Sequence, residues 1–225
     1  MTPKQVRSAI EDLCRELYNA KLVWSYNPPV ITGNSGKSMI TWPAAKATVM
    51  RANAFGSLNQ YLDWIRDGAF TCLLFDYSII QVSYEMVGSE IHGHNLLYWP
   101  CPFGITEGIE DLSDIVTLIE LYLESPGRAA ASFPFTARSP MRFDFDPLRA
   151  GDGHPVVHLH TQFEDARIHI RGPLTFSHFI RATIRTFYQD KWKENSWLED
   201  IHEQATFRDC DVIDPTRHCW TMSWA

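Results

Sequence analysis

The chain has 225 residues, of which 45% are hydrophobic and 21% are charged, and its formal net charge is −7. This composition is that of a globular protein, and it excludes intrinsic disorder, collagen and coiled coil as descriptions of the whole chain. The acidic balance argues against binding of nucleic acid through overall charge, although it is compatible with a local basic patch.

The five cysteines are widely spaced and include no Cys-x-x-Cys pair. This spacing argues against a disulfide framework and against a zinc ribbon. The N-terminus has no apolar core of the kind found in signal peptides, and no uncharged apolar run approaches the ~18 residues that a membrane span needs. The sequence therefore predicts a reduced, cytoplasmic protein that does not bind membranes.

Four segments carry apolar residues at helical spacing. The first has a clear start signal, because Thr2 and Gln5 form a capping box around Pro3 in the first turn. Its apolar stripe runs from Val6 to Leu17. The other predicted helices cover residues 57–66, 112–123 and 175–192.

Alternating or short apolar runs between turn residues predict six strands. The connections between the first three are so short that only antiparallel pairing is possible. We therefore predict an α+β fold, with an antiparallel sheet of about six strands and helices packed on one face. We expect a single domain over residues 1–225, with a core at 3–192 and a C-terminal tail at 193–225 docked on it. The predicted strands cover residues 70–75, 78–87, 90–99, 141–145, 156–162 and 167–171.

The last three predicted strands carry histidine, arginine and aspartate at alternate positions. Successive side chains of a strand point to opposite sides of the sheet, so these polar residues share a face within each strand. They are Arg142 and Asp144 in the first strand, His158 and His160 in the second, and Arg167, His169 and Arg171 in the third.

The length of the last hairpin loop decides whether these polar faces coincide. A loop over 163–166 sets His160 opposite His169 and keeps all the polar side chains on one side. A loop over 163–165 sets His160 opposite Ile168 and turns the histidines toward the apolar side. The four-residue loop agrees with the apolar pattern. It predicts an open or partly open polar cleft, because burial of such a face would be costly.

Three kinds of chemistry fit this cluster. In the first, His158 and His160 act as general base and general acid, Asp144 orients one imidazole, and arginines hold a phosphate, as metal-independent RNA cleavage through the 2′-hydroxyl requires. In the second, both histidines bind a metal ion together with His154 or an aspartate. In the third, the cluster binds an anion or a nucleic-acid backbone without catalysis.

The leading interpretation is a nucleic-acid-processing enzyme of the ribonuclease type that needs no metal or cofactor. The competing interpretation is a non-enzymatic interaction module that binds a partner protein or a nucleic acid. A second His-x-His pair, His92 and His94, is assigned to a packed edge of the sheet, because bulky residues follow it. We assign catalysis to His158, His160, Asp144 and His154, and substrate binding to Arg142, Arg167, His169 and Arg171.

Several blocks of this sequence are distinctive. They are Leu97 to Phe103, Arg142-Phe143-Asp144, His154-Pro155-x-x-His158-x-His160 and Arg167-Ile168-x-Ile170. Together they resemble an uncharacterised bacterial family of unknown function, which carries no activity to transfer. The Arg-x-Asp strand with the histidine block is also similar to TumE-type toxins of bacterial toxin–antitoxin pairs. That likeness implies a toxin or defence effector, with RNA or DNA and a cognate antitoxin or defence-system protein as partners.

Overall fold

The computed structural model describes residues 1–34, 36–43, 57–104, 111–125, 135–136, 138–151, 154–161, 166–201, 205–208 and 221–222. Within these ranges, no helix is both long and apolar enough to cross a lipid bilayer. The helices are α1 (Pro3–Asn19), α2 (Leu58–Arg66), α3 (Leu112–Glu124), α4 (Phe176–Phe187), α5 (Gln189–Glu194) and a 3₁₀ helix (Ser196–Asp200).

The strands form one large sheet. They are β1 (Val23–Tyr26), β2 (Val30–Asn34), β3 (Lys37–Thr41), β4 (Cys72–Leu74), β5 (Ile79–Val87), β6 (Glu90–Trp99), β7 (Met141–Phe145), β8 (Val157–His160), β9 (Arg167–Ile170) and β10 (Thr221–Met222). In the sheet β1, β4, β5, β6, β7, β8, β9 and β10 are neighbours in that order, while β3 pairs with the second half of β5 and β2 pairs with β3. All pairs are antiparallel except β9 with β10.

The α+β class is confirmed, and the number of strands is larger than predicted. The described residues form ten strands rather than about six. The strands that were missed near the N-terminus lie around Pro28, Pro29, Gly33 and Gly36, which hide the alternation of apolar residues. The six predicted strands all exist, although their ends differ by a few residues.

Local signals set the start of the first helix. The amide of Gln5 donates to the Thr2 hydroxyl at 3.3 Å, and the Thr2 amide donates to the Gln5 side chain at 2.8 Å. This is the predicted capping box, and it satisfies amides that the helix itself cannot pair.

The fourth helix is shorter than predicted. Helix α4 ends at Phe187, because Tyr188 leaves helical geometry with φ −134° and ψ 57°. The Tyr188 hydroxyl donates to Asp76 at 2.8 Å and lies 2.9 Å from the Tyr98 hydroxyl. These contacts with distant parts of the chain account for the break before α5.

Helices α1 and α4 cover one face of the sheet. The aromatic rings of Phe143 on β7 and Phe179 on α4 meet at 5.6 Å between centroids. This layer forms the larger of two apolar cores, and its burial supplies most of the driving force for docking the two helices. Its buried members include Ile10, Leu17, Leu96, Phe145, Leu159, Phe176 and Ile180.

Helices α2 and α3 cover part of the opposite face, so the prediction of helices on one face is wrong. Trp64 on α2 packs edge to face on Trp99 at 5.1 Å. The reason lies in β6, which carries large apolar residues on both sides. Leu96 and Tyr98 enter the first core, whereas Leu97 and Trp99 enter the second. Away from these helices, the same face carries polar residues that include Ser83, Asn95 and Asp144.

Described parts of the C-terminal segment contact the body of the protein. Leu198 is fully buried in the first core. The backbone around Phe207 pairs with Ile91, since the amide of Arg208 donates to the Ile91 carbonyl at 2.9 Å. The organisation as a single domain over residues 1–225 stays a prediction.

Candidate functional site

Strand pairing brings the predicted polar residues onto one face of the sheet. Strand β8 lies between β7 and β9, and its polar residues alternate with Val157 and Leu159, which point into the first core. The rows of paired residues across the three strands are Asp144–His158–His169 and Arg142–His160–Arg167.

The shared face is confirmed, but the register differs by two residues. His160 pairs with Arg167 rather than with His169, so the connection spans residues 161–166, most of which lie outside the described residues. A shift of two residues keeps every side chain on the same face. The apolar pattern therefore decides the face and cannot decide between these two registers.

A cavity of about 500 Å³ opens beside this polar face. This volume lies within the range of typical small-molecule sites. Two predicted residues are not among the residues that line it: His169 is buried beside His158 on the neighbouring strand, and Arg171 is exposed beyond the end of β9. The predicted residues that line it are Arg142, Asp144, His154, His158, His160 and Arg167.

The prediction was an open or partly open cleft; the cavity beside the cluster fits this, but the centre of the cluster itself is buried. The exposed fractions are 1% for His158, 3% for His160 and 6% for Asp144. The expectation of an open face assumed unpaired polar groups. Here the groups hydrogen-bond to one another, which removes much of the cost of burial.

Asp144 is the centre of this network. The Arg142 guanidinium donates to both carboxylate oxygens, with Nε at 3.0 Å from each and Nη2 at 2.8 Å from Oδ2. The Asn95 amide donates to Oδ1 at 2.8 Å. Burial by itself raises the pKa of Asp144, but the hydrogen bond from His160 and the charge of Arg142 outweigh it and hold that pKa below its usual range.

The two histidines of β8 point their Nε2 atoms at a common point. These atoms are 2.9 Å apart, and they lie 3.8 Å (His158) and 3.3 Å (His160) from Oδ2 of Asp144. Nδ1 of His158 is 2.7 Å from the Pro155 carbonyl. A carbonyl only accepts, so Nδ1 carries the proton and Nε2 presents a lone pair. Nδ1 of His160 has no hydrogen-bond partner within the described residues.

The protonation states follow from burial. Burial lowers the pKa of His158 to about 4, although Asp144 partly opposes this change. Partial burial and the nearby charge of Arg167 lower the pKa of His154, whose ring lies 4.7 Å from that of His158. Near pH 7 the floor of the cavity therefore holds a neutral His158 beside an ionised Asp144.

This geometry argues against the predicted acid–base pair. Cleavage by two imidazoles needs one on each side of the scissile phosphate. The Nε2 atoms of His158 and His160 are only 2.9 Å apart, which leaves no room for a phosphate between them. Together with Asp144, the two histidines form the one group of potential metal ligands found within the described residues, with ligand atoms within 4.8 Å of one another.

Two residues of this site, Asn95 and Arg149, were not predicted from the sequence. Asn95 on β6 pairs with Asp144 across the sheet and holds its carboxylate. Arg149 also lines the cavity, with its side chain 68% exposed and Nε 3.5 Å from Asp146. Alternation could have indicated the face of Asn95 only if the pairing of β6 with β7 had been known.

The prediction that the His-x-His pair of β6 packs at an edge of the sheet is only partly correct. His94 is 3% exposed and packs in the first core, but β6 is a central strand rather than an edge. His92 is half-buried at the side of the cavity, 3.5 Å from Glu90. The packing prediction therefore holds for His94, and the edge prediction is wrong.

Comparisons with known proteins give one family match. Residues 22–224 match the family described as an uncharacterised conserved protein, DUF2290. No curated protein and no solved structure matches the chain significantly. The predicted resemblance to an uncharacterised family is thereby confirmed, whereas the likeness to TumE-type toxins stays a prediction. The matched range includes the whole cavity cluster but assigns it no activity.

Proposed function

We propose that this chain, which belongs to the DUF2290 family, is a nucleic-acid-processing enzyme that cleaves phosphodiester bonds in the cavity. The observation that carries this proposal is the convergence of three groups at the cavity floor. Nε2 of His158, Nε2 of His160 and Oδ2 of Asp144 meet within 4.8 Å. Buried titratable groups that converge in a cleft are typical of catalytic sites.

The arginines of the cavity support a phosphate substrate. Arg142, Arg149 and Arg167 all line it. Guanidinium groups bind phosphate oxygens through paired hydrogen bonds. We assign the substrate contacts to Arg149, whose side chain is 68% exposed, and to Arg167. Leu148, 71% exposed on the cavity wall, offers an apolar contact to a base.

The size of the cavity favours single-stranded substrates. A volume of about 500 Å³ suits one nucleotide and is too small for a duplex. Unpaired bases can be splayed into such a pocket, whereas paired bases would first have to be flipped out. We therefore expect single-stranded RNA or DNA to be cleaved in preference to duplexes.

The reaction we propose is an in-line displacement at phosphorus. The attacking oxygen, from water or from a 2′-hydroxyl, forms a new P–O bond while the P–O bond to the leaving oxygen breaks. The attacking group gives its proton to the neutral imidazole of His154 on the cavity wall, and the leaving oxygen takes up a proton from water. Nε2 of His158 and Oδ2 of Asp144 accept hydrogen bonds from the attacking group and so orient it, and Arg167 stabilises the charge that develops on the phosphate.

The test is cleavage of end-labelled RNA and DNA, single-stranded and duplex, by the purified full chain. We expect Asp144→Asn to lower the cleavage rate by about 100-fold or more. Asp190→Asn is the matched control, because that carboxylate is 94% exposed on α5. We expect Arg167→Gln to weaken substrate binding, and Arg15→Gln on the surface of α1 to have no effect.

Two results would overturn the proposal. One is the absence of cleavage of every substrate by the folded wild-type chain. The other is cleavage that persists at the wild-type rate in folded Asp144→Asn and Arg167→Gln variants. Retained binding of nucleic acid without cleavage, lost only in Arg167→Gln, would instead support the interaction module.

The cellular part of the proposal is a toxin or defence effector acting in the bacterial cytoplasm. It rests on the likeness of the Arg142 and His154–His160 blocks to TumE-type toxins. Expression of the wild-type chain is expected to arrest growth, and Asp144→Asn is expected to relieve the arrest. A cognate antitoxin or defence-system protein would copurify with the chain. Equal toxicity of both forms, or none, would overturn this part.

A further inference from the structure

We propose that Asp144, His158 and His160 bind one divalent transition-metal ion of the zinc type at the cavity floor. The site consists of two imidazole nitrogens and one carboxylate oxygen, and its open position faces the cavity. The inference rests on the proposed function for the role of the ion in catalysis. Binding of the ion is tested without any substrate.

The distances between the ligand atoms fit such an ion. With metal–ligand distances of about 2.0–2.1 Å, two ligands of a tetrahedral site lie about 3.3–3.4 Å apart. The separations observed here are 2.9 Å between the two Nε2 atoms, and 3.3 Å and 3.8 Å from them to Oδ2 of Asp144. They bracket the tetrahedral value, so an ion can enter with small side-chain shifts.

The donor set selects the kind of metal. Imidazole suits zinc and its neighbours in the first transition row, whereas magnesium and calcium prefer oxygen ligands. Three protein ligands leave a fourth position for a water or a phosphate oxygen, as in catalytic zinc sites. The three residues line the cavity, so this position is reachable by substrate.

The surrounding hydrogen bonds hold two of the ligands in place. His158 donates from Nδ1 to the Pro155 carbonyl at 2.7 Å, which directs the Nε2 lone pair at the site. Asn95 and Arg142 both donate to the Asp144 carboxylate. Ligating histidines and carboxylates in metalloproteins are held in this way.

Without an ion, the hydrogen-bond donors and acceptors of these three residues are not balanced. The lone pair of His158 and the carboxylate of Asp144 face each other, and one N–H of His160 must serve both acceptors. A cation between the three atoms would satisfy all of them at once. This is the physical reason to prefer a metal site over a purely hydrogen-bonded cluster.

The experiment is metal binding by the full chain after treatment with a chelator. Titrations use Zn²⁺ and Co²⁺, with Mg²⁺ as the comparison, and are followed by calorimetry and by the visible spectrum of bound Co²⁺. We expect one Zn²⁺ per chain, weak or no Mg²⁺ binding, and a tetrahedral Co²⁺ spectrum that Zn²⁺ abolishes. Zn²⁺ is also expected to raise the Tm.

Variants of the ligand residues test whether Zn²⁺ binds at this site. His160→Gln and Asp144→Asn are expected to weaken Zn²⁺ binding by more than about 100-fold, and Asn95→Ala by about 10-fold. Asp190→Asn should leave binding unchanged. Should the ligand variants fail to fold, the Asn95→Ala variant and the Co²⁺ spectrum of the wild type decide the matter.

Three results would overturn the inference: no stoichiometric Zn²⁺ binding, a Co²⁺ spectrum without tetrahedral character, or binding unchanged in folded ligand variants. Failure of the proposed function looks different. Stoichiometric Zn²⁺ binding with no cleavage would support the metal site and overturn the proposed nuclease activity. Cleavage that persists in the presence of a chelator, with no Zn²⁺ binding, would support the nuclease activity and overturn the metal site.

Discussion

The backbone amide of Leu174 donates a hydrogen bond to Nε2 of His94 over 3.0 Å, in the core between the sheet and α4. Nδ1 of the same ring lies 3.2 Å from the Phe143 carbonyl, so Nδ1 carries the proton. The ring is therefore held in one neutral form. A second proton on Nε2 would face the Leu174 amide and break this contact.

We expect His94 to make the protein sensitive to mild acid. Burial lowers the pKa of His94 from 6.5 to about 4. Between these values the unfolded chain binds a proton that the folded chain does not, so the free energy of unfolding falls as the pH falls from 6.5 toward 4. The decline due to this residue is on the order of 3 kcal/mol. Urea unfolding at several pH values measures it.

The His94→Gln variant isolates this effect. Glutamine does not titrate, so the variant is expected to lose this part of the acid-induced decline. The decline due to His158, whose pKa is also lowered, remains. His178→Gln, at an exposed position of α4, serves as the control. An identical pH dependence in wild type and His94→Gln would contradict the prediction.

The ion pair between Arg142 and Asp144 gives a second prediction. Arg142→Met leaves a buried carboxylate without its main partner, and we expect a loss of about 3 kcal/mol in the free energy of unfolding. The double variant Arg142→Met with Asp144→Leu removes both charges and should recover most of this loss. Urea unfolding of the three proteins tests it.

A surface ion pair provides the comparison. Arg15 and Asp12 on α1 are both about half exposed. Arg15→Met should therefore cost less than about 1 kcal/mol. If Arg142→Met proved as mild as Arg15→Met, the role of the buried pair described here would be wrong.

The packing of α4 on the sheet gives a third prediction. Phe179 is 1% exposed and contacts Phe143. Phe179→Ala should lower the free energy of unfolding by about 3–5 kcal/mol, because it opens a cavity in the first core. Phe187 on the same helix is 47% exposed. Phe187→Ala should cost about 1 kcal/mol. Equal losses at the two positions would contradict the assignment of the core.

The buried cysteines give a fourth prediction. Cys14 and Cys72 meet in the first core, with their sulfur atoms 3.2 Å apart, and Cys101 lies in the second. Burial raises the pKa of Cys101 to about 12, and burial with the contact to Cys14 raises the pKa of Cys72 well above its usual range. Thiols of this kind react slowly.

We therefore expect iodoacetamide at neutral pH to leave these three cysteines unmodified in the folded protein. All three should react once the chain is unfolded in denaturant. Peptide mapping by mass spectrometry after each treatment gives the extent of modification at each position. Modification of Cys72 in the folded protein as fast as in the unfolded protein would exclude the packing described here.

Local signals made parts of the fold predictable. The start of α1 depends only on Thr2, Pro3 and Gln5, which are neighbours in the chain. The end of α4 could not be predicted, because Tyr188 is held by Asp76, which is 112 residues away. The early strands were missed for a similar reason, since β3 is stabilised by pairing with β5 rather than by its own sequence pattern.

The sequence was enough to predict which face of the sheet carries the site, but not how deeply its side chains are buried. Strand alternation is a local property, so it was enough to group Arg142, Asp144, His158 and His160 on one face. The buried carboxylate of Asp144 is supported by Asn95, whose position follows from the pairing of β6 with β7 across a long connection. The distance between the two imidazoles depends on side-chain rotamers, which alternation does not determine.

Strand β8 gives alternate positions different tolerances to mutation. Val157 and Leu159 belong to the first core, while His158 and His160, which alternate with them, line the cavity. A library of hydrophobic residues at 157 and 159 should yield many folded, active proteins. A library at 158 and 160 should yield folded proteins that lose the proposed cleavage and the proposed metal binding. Within residues 157–160, the positions that matter for folding thus alternate with the positions that matter for the proposed activity, so the two requirements can be tested separately.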